Sequence, residues 1–94
     1  MYVLSIYILP MSKPVTIYTT QTCGYCKATK EFLKSHTVEY TEIDVGTDQA
    51  KAREMIEKSG QMGVPVIVVG EGGQEELIVG FDQKRLSQAL GIAG

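Results

Sequence analysis

Two cysteines with two residues between them, Cys23-Gly24-Tyr25-Cys26, stand where a strand-like stretch gives way to a helix-like one, and this placement constrains the chain most. Upstream, Val15, Ile17 and Tyr18, bounded by Pro14 and a run of Thr and Gln, have the branched and aromatic character of a short buried strand. Downstream, Tyr25, Ala28, Thr29, Phe32 and Leu33 recur at helical spacing as far as about His36, with Lys27, Lys30, Glu31 and Lys34 largely elsewhere on the cylinder. Thr22 is the expected N-cap. Two cysteines three positions apart at a helix start bring their Cα atoms to roughly 5–6 Å, so a disulfide can open and close without refolding its surroundings.

The alternation continues along the chain. Residues 38–44 read as a second strand carrying Val38, Tyr40 and Ile43, and Thr47 or Asp48 caps a second helix that runs to Ser59. Its apolar face is expected at Ala52, Met55 and Ile56, and Gly60 ends it. Residues 65–69 and 74–79, joined through Gly70-Glu-Gly-Gly73, read as a β-hairpin. Asp82 caps a last helix carrying Leu86, Ala89 and Leu90, closed by Gly91. The order βαβαββα joins a right-handed βαβ unit to a hairpin and a closing helix. The expected fold class is therefore α/β, one mixed four-stranded sheet covered by helices. It occupies residues 13–94, with residues 1–12 as an N-terminal extension.

Ninety-four residues, 44% of them hydrophobic, suit one small domain and exclude a chain disordered by composition. Nine basic against eleven acidic residues give a net charge of −2, which offers no field for gathering nucleic acid or anionic lipid. Residues 1–11 are uncharged and apolar. They lack the positive region of a signal peptide and fall short of the roughly 20 apolar residues of a membrane span. The expectation is a cytoplasmic protein with reduced thiols and no membrane partner. The opening segment then reads as an extra edge strand, a homodimer contact, or a start assigned upstream of Met11.

The chemistry follows from position. The thiolate is the nucleophile, and an ordinary thiol with a pKa near 8.5 is only about 3% ionised at neutral pH. At a helix N-terminus, unsatisfied N–H groups and the helix dipole favour negative charge, and cysteines there commonly titrate at roughly 3.5–7.5. Cys23 is thus the expected attacking thiol and Cys26, one turn further in, the resolving one. Zinc is the rival use of the spacing, but His36 is the only histidine and there is no second cysteine pair. Burial of both cysteines as small hydrophobes is the plainer alternative.

From Lys13 to Ile92 the chain resembles the glutaredoxins of the thioredoxin-fold superfamily. The matching pieces are Thr16-Ile-Tyr18, Cys23-Gly-Tyr-Cys26, Ser59-Gly-Gln-Met-Gly-Val-Pro65 and Gly80-Phe-Asp82. The resemblance implies a thiol–disulfide oxidoreductase acting on disulfide-containing proteins or small molecules. It also implies a cis Val64-Pro65 bond facing the cysteines, with the Val64 backbone open to substrate. Thr22, Gly24 and Tyr25 join Val64 and Pro65 in the implied substrate surface, and Gly80, Phe81 and Asp82 hold the γ-glutamyl end of glutathione. Asp82 serves equally as a helix cap.

No tightly bound cofactor is implied, and glutathione is a candidate reductant. Yet glutathione-dependent members usually carry a lysine where this chain has Thr20, and often a basic residue near Gln61. Lys13 or Lys27 are the candidates to replace those cations. Phe81 resembles the NrdH-type redoxins, which draw electrons from thioredoxin reductase, so the donor is glutathione or thioredoxin reductase. Gly24 replaces a more usual proline, a change found in relatives that hold a [2Fe-2S] cluster between two protomers. Lys27, Lys30 and Lys34 are expected to form a solvated helix face interleaved with Glu31 at i,i+3 and i,i+4.

Overall fold

A computed structural model describes residues 13–92. The expectations for residues 1–12, an extension serving as edge strand or dimer contact, lie outside the described residues. The elements are β1 (Val15–Thr19), α1 (Gly24–Ser35), β2 (Thr41–Asp44), α2 (Gln49–Ser59), β3 (Val66–Val69), β4 (Glu76–Val79) and α3 (Gln83–Leu90). This is the order expected from the sequence. The strands lie side by side as β2-β1-β3-β4. β1 and β2 are parallel, with Thr19 opposite Asp44, and Ile17, Ile67 and Ile78 lie in line across the two antiparallel pairings.

Because successive strand residues point to opposite faces, the sheet builds two cores. Val15, Ile17, Ile67, Val69 and Ile78 meet Phe32 and Leu33 of α1 and Leu86 and Ala89 of α3. Tyr18, Val66 and Val68 meet Met55 of α2 on the other side. All four residues of β3 are buried, the unbroken apolar run of a strand covered on both faces. Gly60 ends α2 with φ +72°, as its place in the sequence implied.

Two expectations change. β2 begins at Thr41 rather than Val38, because the Val38 N–H donates to the Leu33 carbonyl at 2.9 Å and ties that stretch to the end of α1. Val38 and Tyr40 still pack against the first core from outside the ladder. On α2, Met55 is buried but Ile56 is 36% exposed. The helix presents Glu54 to the sheet instead, where its carboxylate accepts from the Tyr18 hydroxyl at 2.6 Å. Burial, then Glu54, pushes the Tyr18 phenol far above its ordinary range, while Tyr18, then Lys51, holds Glu54 below the usual carboxylate range.

Leu33 anchors α1, and so the cysteines at its other end. Leu33→Ala is expected to lower unfolding free energy in urea by about 2–5 kcal/mol, whereas Ile56→Ala is expected to change it by no more than about 0.5 kcal/mol. Similar losses at both positions would contradict this placement of α2.

Candidate active site

β1 ends at Thr19, and the turn that follows is closed by the Cys23 N–H donating to the Thr20 carbonyl at 3.4 Å. Cys23, rather than Thr22, is the N-cap of α1. Its backbone is extended, its carbonyl accepts from the Lys27 N–H at 3.2 Å, and its sulfur accepts from the Cys26 N–H at 3.0 Å. The capping atom is thus the Cys23 sulfur. Cys23 and Cys26 are joined as a disulfide, with Cα atoms 5.2 Å apart. Cys23 is half-buried, but Cys26 is only 1% exposed. The pair therefore has one face open to solvent and one sealed by the domain.

Residues distant in sequence complete the surroundings. The Val64–Pro65 peptide is cis, and the Val64 carbonyl oxygen lies 3.8 Å from the Cys23 sulfur. Pro65 is buried, and its carbonyl accepts from the Gly80 N–H at 2.9 Å, which brings the end of β4 beside this loop. Asp82 caps α3, accepting from the Arg85 N–H at 3.1 Å. The Phe81 ring packs edge-on against Phe32, 6.1 Å between centroids, and belongs in part to the first core. Thr22 and Gly24 are exposed, and Tyr25, expected on the apolar face of α1, is 69% exposed. Met62, two residues before Val64 and 81% exposed, went unnoticed in the sequence.

The β2 side of Cys23 holds charges that the sequence reading also missed. Glu42 accepts from the Thr19 hydroxyl at 2.8 Å and from the Lys30 ammonium at 2.9 Å. Asp44 accepts from the Gly46 N–H at 2.8 Å and from the Gln21 amide at 3.3 Å. Thr19, Gln21, Lys30, Glu42 and Asp44 line a cleft of about 210 Å³ shared with Cys23 and Lys27. Lys30 therefore pairs across to β2, and none of the α1 lysines bridges Glu31 among the described residues. The parallel pairing of β1 and β2 could have pointed here, since it sets both strand ends beside the cysteine turn. Lys30, then Thr19, holds Glu42 below the usual carboxylate range, and Glu42 raises Lys30. Lys13 lies elsewhere, donating to the Ala89 carbonyl at 3.3 Å.

With that geometry in place, the glutaredoxin family profile matches residues 15–73. The chain belongs to the glutaredoxin family. It is 37% identical over 76 residues to a glutaredoxin-like 8.6 kDa protein in the rubredoxin operon of Clostridium pasteurianum, covering 81% of this chain and 96% of that one. It is 39% identical over 66 residues to glutaredoxin 3 of Escherichia coli K12, covering 67% and 80% respectively. Its fold superposes on the glutaredoxin-like NrdH-redoxin of Escherichia coli with a TM-score of 0.65 at 25% identity, covering 80% and 92%. The thioredoxin-like fold and a CxxC redox motif of the glutaredoxin type are thus both present. Among the described residues no three His, Cys, Asp or Glu side chains converge as a metal site. No helix among them is long and apolar enough to cross a membrane.

Gly24 is the first residue inside α1, follows an extended Cys23, and has open space where a Cβ would stand. Proline suits that position, so Gly24→Pro is expected to stabilise the domain by about 0.4–1 kcal/mol in denaturant unfolding; a loss would contradict the geometry of this first turn. A carboxylate lowered by folding stabilises above its unfolded pKa of about 4.3, and its contribution fades as pH falls through the lower folded value. Wild type should therefore exceed Glu42→Gln by up to about 1 kcal/mol at pH 7, with the gap closing as pH falls through the lowered folded value. A gap independent of pH would contradict the ion pair.

Proposed function

We propose that the protein reduces disulfides of proteins and small molecules by cycling Cys23 and Cys26 between dithiol and disulfide. The observation that carries this reading is the unequal exposure of two cysteines already within bonding reach. Only Cys23 can meet a substrate, and only Cys26 is close enough to displace it. The Cys23 thiolate attacks one sulfur of the substrate disulfide, forming a mixed disulfide and expelling the other sulfur as a thiolate that takes up a proton. Cys26, losing its own proton, then attacks the Cys23 sulfur. This closes the internal disulfide and expels the second substrate thiol. Two electrons have passed from the protein to the substrate, and glutathione or thioredoxin reductase returns them.

Thr22, Gly24, Tyr25, Val64 and Pro65 form the substrate surface in this reading, with Gly80, Phe81 and Asp82 at its far side. The nearness of the Val64 carbonyl to the Cys23 sulfur supports the first group. The cap that Asp82 provides for α3 uses Oδ1 and leaves the second carboxylate oxygen at that helix start. We place this activity in the cytoplasm, where a reducing pool can restore the dithiol.

Cys23→Ser is expected to abolish reduction of a disulfide substrate, read as release of free thiol. Cys26→Ser is expected to accumulate a mixed disulfide at Cys23, visible as a mass increase reversed by dithiothreitol. Full activity in Cys23→Ser, or adducts confined to Cys26, would remove the assignment. Adding glutathione with glutathione reductase, or thioredoxin reductase, each with NADPH, to the oxidised protein identifies the donor by which one regenerates two thiols.

A further inference from the structure

A second cleft borders the start of β1, at the opposite end of that strand from the cysteines. It encloses about 720 Å³, against about 210 Å³ beside Cys23. Residues 13–16 form one wall and residues 37–41 another, and the end of α3 supplies Leu90 and Ile92. Val38, Tyr40, Leu90 and Ile92 all pack on the first core yet stay only partly buried. The cleft is therefore where that core runs short of cover. Its charged residues, Lys13 and Glu39, are of opposite sign, and the Lys13 ammonium already donates to the Ala89 carbonyl at 3.3 Å. An uncharged, apolar occupant suits such a lining.

The chain carries one next to the cleft. Residues 1–11 have no charged side chain, and Lys13, two residues further on, is itself part of the wall. Ile8 is within about 18 Å of Lys13 even at full extension, and Pro10 and Pro14 flank a stretch suited to reversing the chain. At the period of two of an extended segment, Leu4, Ile6 and Ile8 make an unbroken apolar row, whereas Ser5 interrupts the other row. We propose that residues 4–8 of this chain occupy the cleft as an intramolecular cover, with Leu4, Ile6 and Ile8 toward Val38, Leu90 and Ile92. The contact completes the first core at its open end and is independent of the thiol chemistry.

The test uses the full chain and two readouts. Urea unfolding followed by circular dichroism should show the unfolding equilibrium constant rising about tenfold in Ile6→Asp, the loss of one buried aliphatic side chain. Ser5→Asp, on the other row, should leave it within about twofold. The chain has no tryptophan, so Tyr40→Trp reports on the cleft alone. Its emission should be that of a shielded indole, shift to the red when Ile6→Asp is added, and stay in place with Ser5→Asp. Both results should hold from about 1 µM to about 100 µM protein. Equal effects of Ile6→Asp and Ser5→Asp, no effect of either, or a solvent-exposed indole before any change to residue 6 overturns the proposal. Dependence on protein concentration overturns it as well, because a second copy would then be the cover.

Discussion

The contact between the Cys26 N–H and the Cys23 sulfur is where the fold and the chemistry meet. A helix start leaves backbone N–H groups without partners, and an oxygen-bearing side chain usually satisfies one of them. Here sulfur does so, which joins the start of α1 to the state of Cys23. Negative charge on that sulfur strengthens the bond, since an ionised acceptor makes a charge-assisted hydrogen bond. The helix that supplies the N–H is held from behind. Thr29, Phe32 and Leu33 are all buried on its inner side, and the sheet beneath them is anchored by β3, covered on both faces.

That arrangement also separates the two thiols by access. One turn of helix turns Cys26 into the domain and leaves Cys23 facing the loop at Val64 and the cleft toward β2. The approaches differ in character. The loop side offers backbone, with the exposed Tyr25 and Met62 as apolar neighbours within the same two segments. The β2 side offers charge, arranged by the parallel pairing that sets Thr19 beside Asp44.

Much of this was legible in the sequence, because the signals were local. The strand–cysteine–helix join, the caps at Asp48 and Asp82 and the glycine ends at Gly60 and Gly91 depend on neighbouring residues, and all stand where expected. What escaped depended on tertiary contacts. Thr22 has a better intrinsic capping side chain than Cys23, but the turn closed on Thr20 starts the helix one residue later. Ile56 fits a helical apolar stripe, yet the hydrogen bond from Tyr18 to Glu54 turns the helix away from it. Lys30 has Glu31 as its immediate neighbour in sequence and chooses Glu42, which only strand pairing brings near. The three lysines of α1 look alike in the chain; the fold engages Lys30 and leaves Lys27 beside the cysteine.

The account depends most on the ionisation and exposure of Cys23, and alkylation by iodoacetamide of the reduced protein across a pH series reads both at once. Peptide mass analysis should show modification first at Cys23, with its rate half-maximal below about pH 7.5 rather than near the 8.5 of an ordinary thiol. Modification that begins at Cys26, or a Cys23 that stays unreactive until about pH 8.5, would contradict it.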